Sequence, residues 1–308
     1  MNLRKIIGAI IFLILIAGLG YYGYLHREDF AELRLVNPWL LIVLIGLFIF
    51  SYFTIAIVNN ELMKALKVKM PVLESFMLAI VTGFYNLITP FRGGMAVRAV
   101  YLKKKYGFAY VHFLASLSAV YVLTFFVASF LGLVSTVWIY YSTGVFSWIL
   151  FFVFLFVFFG MLGIIFISPK FKERRNKWLN RFVKVVNGWH LIKHNKQIIV
   201  LTSVVTLVQI LLGSLGMWLQ FRVFGLEVPF VAAVFLSAIG NLSLLIGLTP
   251  GNLGVHEAVV VFSARTIGIS AAESLSVALL GRAVSLVVLF VLGPIFSWLL
   301  IKKGNSKV

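Results

Sequence analysis

The segment from Phe113 to Tyr141 reads FLASLSAVYVLTFFVASFLGLVSTVWIYY and contains no charged residue. A helix needs about 20 mostly apolar residues to cross the hydrocarbon core of a bilayer, and this segment is longer than that. Further segments have the same character, although Arg282 interrupts the last of them: Ile6–Leu25, Trp39–Val58, Val145–Ser168, Ile198–Phe221 and Ser274–Ile301. The pattern predicts an all-α polytopic membrane protein with about six transmembrane helices.

The composition excludes several other classes of protein. Of the 308 residues, 62% are apolar and 12% are charged. In soluble domains, about 45–50% of the residues are apolar and about 25% are charged. Disorder requires low hydrophobicity, so it is excluded too. The absence of cysteine and the single aspartate, Asp29, exclude thiolate metal sites, cysteine nucleophiles and Asp-x-Asp motifs. The sequence therefore predicts no catalytic residue, no metal and no cofactor.

The first apolar segment, Ile6–Leu25, has two interpretations. Arg4 and Lys5 precede it, as they would precede either a secretory signal peptide or a retained helix. Its apolar run is long and no small-x-small cleavage site follows. A retained transmembrane helix is therefore the preferred interpretation.

Two other apolar stretches do not fit simple spans. Ser75–Pro90 is uncharged but short, and the ten residues of Gly94–Lys103 reach only about 15 Å as a helix. We expect this part of the chain to enter the membrane and turn back. Pro229–Thr249 is followed by His256, Glu257 and Arg265, and such charges are costly in lipid. It predicts a second re-entrant hairpin, although its arms are long enough to cross.

The two stretches resemble each other and indicate an internal repeat. Thr89-Pro90 matches Thr249-Pro250 and Gly94 matches Gly254, each 160 positions later. We expect a single integral membrane domain, residues 1–308, with repeat halves of approximately 39–141 and 198–301. Three spans separate the hairpins, which predicts an inverted repeat of the kind found in transporters. Two ordinary helices kinked by proline and glycine are the alternative.

The charge distribution predicts the orientation in the membrane. Lys and Arg number 27 against nine acidic residues, giving a net charge of +18. With a cytoplasmic N-terminus, 21 of the basic residues lie inside. Three lie outside (Arg27, Arg34 and Arg222) and three lie at membrane depth (Arg92, Arg265 and Arg282). This positive-inside bias places both termini in the cytoplasm at the inner cell membrane, and it explains the charge without nucleic acid.

The basic cytoplasmic loop, residues 169–197, contains nine basic residues. Trp178, Phe182 and Trp189 recur in it at helical spacing, while lysines and arginines occupy the other faces. The pattern is typical of an interfacial helix on anionic lipid. A solvated loop is the alternative.

The Pro/Gly motifs have the chemistry of a phosphate site. A helix that restarts inside a protein presents free N–H groups and the positive end of its dipole, and a guanidinium adds bidentate donors. The predicted headgroup-binding residues are Arg92, Gly93, Gly94, Arg98, Asn252, Gly254, His256, Glu257 and Arg282, with Pro90, Pro250 and Gly251 as helix breaks. Alternatively, Arg92 binds backbone carbonyl groups at a buried turn, and Arg98 snorkels to the membrane interface.

Glu257 is the only carboxylate inside a motif at membrane depth. It could pair with Arg282 or Arg265, bind a cationic headgroup or carry a proton. His256-Glu257 begins like a zinc-protease helix, but the second histidine is absent.

The motifs resemble a known family. Pro90-Phe91-Arg92-Gly93-Gly94 with Arg98-Ala99, and Pro250–Ala258 with Arg282, are similar to the two signatures of the lysylphosphatidylglycerol synthase transmembrane (flippase-like) family. Its members include the membrane half of multiple peptide resistance factor. The resemblance implies a polytopic inner-membrane protein that moves a lipid between leaflets.

The sequence departs from the family pattern in two ways. Met95 stands where members often carry an acidic residue, and the chain ends soon after its last predicted helix. We therefore expect no soluble aminoacyl-transferase domain, and the resemblance does not imply lysine addition to lipid.

The leading functional hypothesis is translocation or binding of a phospholipid headgroup, aminoacylated or not. No Walker A motif is present, so movement would be passive or ion-coupled. The expected partners are membrane phospholipids, a second copy of the chain or a separate lipid-modifying enzyme. The alternatives are a regulator of such an enzyme and a polyprenyl-phosphate-linked transferase. The scarcity of carboxylates disfavours the transferase, so we do not expect an enzyme.

Overall fold

The computed structural model describes residues 34–89, 92–167, 195–246 and 249–305, together with residues 183, 189, 190, 192 and 193. This part of the chain is all-helical, as predicted. Its nine α-helices are α1 (Leu40–Ala65), α2 (Val72–Ile88), α3 (Gly93–Tyr106), α4 (Tyr110–Thr143), α5 (Trp148–Phe166), α6 (Lys196–Val223), α7 (Phe230–Leu242), α8 (Val255–Arg265) and α9 (Ala271–Asn305). Two 3₁₀ turns, Ser243–Leu245 and Pro250–Asn252, lie between α7 and α8.

Five helices in the described ranges, α1, α4, α5, α6 and α9, are long and apolar enough to cross a membrane. They correspond to five of the predicted spans, which confirms the polytopic fold class; the remaining span, Ile6–Leu25, lies outside the described residues. The boundaries differ in detail. Helix α1 continues past Val58 through Asn59, Asn60 and Glu61, because hydropathy registers where apolar residues stop and not where backbone hydrogen bonding stops.

The first pair of short helices, α2 and α3, forms an antiparallel hairpin. Glu74 at the start of α2 accepts hydrogen bonds from the hydroxyl groups of Tyr101 and Tyr106 and from the ammonium group of Lys105, at 2.7–2.8 Å. All three donors lie at the end of α3. The hairpin therefore begins and ends at the same end of the molecule.

The second pair, α7 and α8, has 13 and 11 residues, each fewer than a membrane crossing requires. Gly240 near the end of α7 faces His256 at the start of α8. Val231 and Ala264, at the opposite ends of the pair, pack in one hydrophobic cluster. These helices are also antiparallel, and the re-entrant position of both hairpins in a membrane stays a prediction.

The order of elements is the same in α1–α4 and in α6–α9: a long helix, a short hairpin and another long helix, with α5 between the two sets. Helix α1 packs against α6, α2 packs against α9, and α7 packs against α4. The first helix of each hairpin thus lies on a long helix from the other set. Because each hairpin packs on a long helix of the other set, the tips of the two hairpins come into contact.

The basic loop is described only in fragments. Trp189 and Ile192 are buried in a cluster with Leu62 of α1 and Leu123 of α4. The end of the loop is therefore packed against the helix bundle. Most of the predicted interfacial helix, including Trp178 and Phe182, lies outside the described residues.

Candidate functional site

A cavity of about 340 Å³ lies among α1, α6, α7, α8 and α9. Small residues open space in its walls: Gly213, Gly240, Ala278 and Gly281. Its polar lining is formed by Gln220, Asn241, Asn252, His256 and Arg282, together with serines. A concave space with a few convergent polar groups is the usual form of a small-molecule site.

The tip of the second hairpin forms one wall of this cavity, and its residue types suit its backbone. Gly251, Asn252 and Gly254 have φ angles of 56°, 59° and 78°. The left-handed region is open to glycine and is tolerated by asparagine. The hydroxyl of Thr249 closes the turn by donating to the carbonyl of Leu253 at 2.7 Å. The motif therefore encodes a tight turn that ends at the N-terminus of α8.

Glu257 forms a buried ion pair with Arg282 of α9. Oε1 of Glu257 accepts from Nη2 and Nε of Arg282 at 2.7 and 3.0 Å. Oε2 accepts the backbone N–H of Gly254 at 2.7 Å, so the same carboxylate caps α8. Its side chain is only 2% exposed. The structure thus selects Arg282 as the partner over Arg265, which is exposed.

Arg282 also holds the hairpin tip, since its Nη1 donates to the carbonyl of Gly251 at 3.0 Å. A guanidinium has five N–H donors. Bonds to described residues use three of them. Arg282 lines the cavity, and its two remaining donors have no partner among the described residues.

A short polar chain lies beside the ion pair. Nδ2 of Asn252 donates to Oγ of Ser243 at 2.8 Å, and Ser243 donates to the carbonyl of Gly240 at 2.6 Å. Oδ1 of Asn252 is buried and accepts no hydrogen bond from the described residues. Nδ1 of His256 lies 3.5 Å from the same Ser243 oxygen. Since a buried unsatisfied acceptor is costly, this tip of the hairpin favours an additional donor.

Arg92 joins the first hairpin to the second. Its φ angle is 57°, close to that of Asn252 at the matching position 160 residues later. Its guanidinium donates to the hydroxyl of Tyr121 and, at 3.2 Å, to the carbonyl of Leu244, a residue that lines the cavity. Leu87 of α2 packs against Gly251, where a β-carbon would lie 2.5 Å from its Cδ2. The carbonyl contact agrees with the backbone interpretation of Arg92 and places its charge at the cavity edge.

Arg98 is isolated. It is only 6% exposed, and its Cζ lies 5.7 Å from the ring centroid of Phe113. Within the described ranges it makes neither a hydrogen bond nor an ion pair. Although the residue is largely buried, none of its guanidinium nitrogens is among the fully buried unpaired atoms of the described residues.

The predicted site residues divide into groups. Gly251, Asn252, His256 and Arg282 line the cavity and Pro250 begins its turn, with Gly254 and Glu257 hydrogen-bonded to each other behind it. Gly93 and Gly94 instead pack against α2 and Thr89, and Arg98 is not among the cavity residues. Pro90 lies outside the described residues.

Sequence reasoning missed other contributors. Gln220 lines the cavity, and its amide inside an otherwise apolar span was a signal that could have found it. Tyr121 and Ser243 carry no such signal, because hydroxyl residues are common in membrane helices. In the part of the chain that the structure describes, His, Asp and Glu form no three-residue cluster that could hold a metal ion.

The described part of the chain is all-helical and contains five long apolar helices, which makes this a polytopic membrane protein. The chain belongs to the family described as the lysylphosphatidylglycerol synthase TM region, whose model matches residues 5–293. This confirms the resemblance drawn from the two motifs and supports a lipid-related role in the membrane. No curated protein matches the chain.

Proposed function

We propose that the protein moves a phospholipid headgroup between the leaflets of the inner cell membrane without ATP. The observation that carries the proposal is the polar cavity at the contact between the two hairpin tips. Polar groups inside a membrane protein are expensive, and they typically mark a substrate path. In many transporters such sites lie where helices are broken.

The contacts between the tips suggest how the path opens. Arg92 binds the carbonyl of Leu244, and Leu87 packs on Gly251. A headgroup that passes from one leaflet to the other must part these contacts on its way. Arg282 offers spare donors to the headgroup inside the cavity while the acyl chains stay in lipid.

The proposal assigns transport and not chemistry. Glu257, the carboxylate nearest the cavity, has both oxygens occupied by Arg282 and Gly254. General acid–base catalysis needs a group that reaches the substrate, and Glu257 is not among the residues that line the cavity. If the purified protein moves no lipid, the alternative function, regulation of a separate lipid-modifying enzyme, is favoured.

Packing at one end of the molecule supports the proposed orientation. Met63 near the end of α1, Phe108 before α4 and Leu300 near the end of α9 lie in one cluster. Lys103, Lys104 and Lys105 lie in the last turn of α3, at the same end. Collecting positive charge at one end suits a cytoplasmic face with both termini inside.

The proposal is tested by filling the cavity. Gly213 of α6 lines it, and a β-carbon there would meet only Oγ of Ser237, at 3.4 Å. We expect Gly213→Leu to slow the movement of labelled phospholipid in proteoliposomes by about tenfold, a barrier change of ~1.4 kcal/mol. Helix stability should not suffer, because leucine is a better helix former than glycine.

Gly216→Leu is the matched control. Gly216 lies on the same helix, and a β-carbon there would meet nothing within 4 Å. This variant should move lipid as fast as the wild type. Wild-type vesicles no faster than protein-free ones would refute the proposal, and equal slowing by both variants would remove the cavity as the path.

A further inference from the structure

We infer that the headgroup is anionic, a phosphate without a compensating ammonium group, and that lysylated or other cationic lipids are poor substrates. This inference rests on the proposed function and names its substrate class. It follows from the balance of charge among the groups that the helices bury.

The described carboxylates are all engaged. Glu257 is 1% exposed and has both oxygens occupied by Arg282 and Gly254. Glu74 is 4% exposed and accepts from Lys105 and two tyrosines. The others bind nearby groups: Glu61 binds Lys64, Glu227 binds Arg222, and Glu273 binds the backbone of Ser270. Within the described ranges, the two buried glutamates, Glu257 and Glu74, are therefore each already paired with a cation.

The described guanidinium groups are not balanced in the same way. Arg282 is offset by Glu257 but retains two donors that have no partner among the described residues. Among the described residues, Arg92 donates only to neutral acceptors, the hydroxyl of Tyr121 and the carbonyl of Leu244. Arg98 is only 6% exposed and makes no polar contact among the described residues. Arg92 and Arg98 thus contribute two positive charges that no described carboxylate neutralises.

An anion relieves this imbalance, whereas a cation increases it. A buried charge without a partner is costly, so bringing a negative group toward it is favourable. The guanidinium fork matches the oxygen atoms of a phosphate. A lysyl headgroup would bring ammonium groups into the same field, where the buried carboxylates of the described residues are already paired with cations. The interior therefore favours a phosphodiester with net negative charge.

The test compares labelled lipids with identical acyl chains in proteoliposomes of the full chain. The headgroups are anionic phosphatidylglycerol, zwitterionic phosphatidylethanolamine and cationic lysyl-phosphatidylglycerol. We expect the anionic lipid to move fastest and the lysylated lipid at least about tenfold more slowly, a difference of ~1.4 kcal/mol. In a separate series, inorganic phosphate is added to the same proteoliposomes. It should not inhibit lipid movement if the site binds the lipid headgroup.

Arg98→Gln removes one unbalanced charge and should reduce the preference for the anionic lipid. Lys104→Gln is the matched control, because it removes a positive charge from an exposed position on the same helix, and it should keep the preference. Thermal unfolding of each variant separates lost selectivity from lost folding. If Arg98→Gln does not fold, the rates at which the wild type moves the three lipids decide whether the preference for an anionic headgroup exists.

The outcomes separate the two claims. If the wild type moves none of the lipids, the proposed function fails. If lipids move and the lysylated one is as fast as the anionic one, or faster, the inference is overturned and the proposed function stands. Strong inhibition by inorganic phosphate would assign the site to a soluble anion and overturn the lipid as its occupant.

Discussion

Glu257 connects three parts of the molecule through one carboxylate. It caps α8 at Gly254, binds Arg282 of α9, and through Arg282 holds the carbonyl of Gly251 in the hairpin tip. The sequence singled out Glu257 because it is a rare carboxylate at membrane depth. It left open whether Arg282, Arg265, a headgroup or a proton was the partner, since that choice depends on how α8 packs on α9.

Truncating this ion pair should destabilise the protein. We expect Glu257→Gln to cost about 3–5 kcal/mol, because it leaves the guanidinium of Arg282 buried without its carboxylate. Adding Arg282→Gln should restore part of the loss. The measurement is thermal unfolding in detergent, analysed as a double-mutant cycle.

The exposed pair of Glu227 and Arg222 provides the control, since the Glu227 side chain is 83% exposed. Glu227→Gln should change the unfolding temperature little, because surface ion pairs contribute little. A Glu257→Gln protein that is fully stable yet inactive in transport would contradict the structural role and favour a substrate or proton role.

At the scale of elements, the two hairpins are built from close helix contacts at glycine. A β-carbon on Gly94 would lie 2.0 Å from the carbonyl oxygen of Thr82, so α3 rests directly on the backbone of α2. The sequence predicted a hairpin here from the shortness of its arms. Ligand binding by Gly93 and Gly94 stays a prediction, and in the structure both glycines lie in close contact with α2 or its C-cap residue, Thr89.

Gly94→Ala should therefore force the two arms of the first hairpin apart. We expect a loss of about 1–3 kcal/mol, the usual cost of overpacking a close contact, seen as a lower unfolding temperature. Gly160→Ala in α5 is the control, because a β-carbon there meets nothing within 4 Å. It should be neutral or slightly stabilising. Equal stability of the Gly94→Ala variant and the wild type would show that the hairpin is looser than described.

At the scale of the whole molecule, each hairpin packs on a long helix of the other set, so neither set completes the cavity alone. Helices α6–α9 supply most of its wall, while Phe48 comes from α1. Arg92 of the first hairpin reaches the edge through Leu244. Residues far apart in the chain meet there because α1 packs on α6 and α2 packs on α9.

The topology is directly testable, because the chain has no native cysteine. Single cysteines at Lys104 and Lys193 should react with a membrane-impermeant thiol reagent only from the cytoplasm. Cysteines at Thr143 and Ser270 should react only from outside. Labelling of position 104 from outside would refute the first re-entrant hairpin. Labelling of position 270 from inside would show that α7 and α8 together cross the membrane instead of returning to the outer side.

Hydropathy and the positions of proline and glycine were enough to predict the fold class, the five described spans and the two helix breaks. These are local properties: hydropathy over about 20 residues sets a span, and proline and glycine set a break within a few positions. Three further points depend on how the helices pack: Glu257 pairs with Arg282, Arg98 is largely buried without a polar partner among the described residues, and Gln220 lines the cavity. These contacts join residues on different helices, and no local pattern encodes which faces of those helices meet.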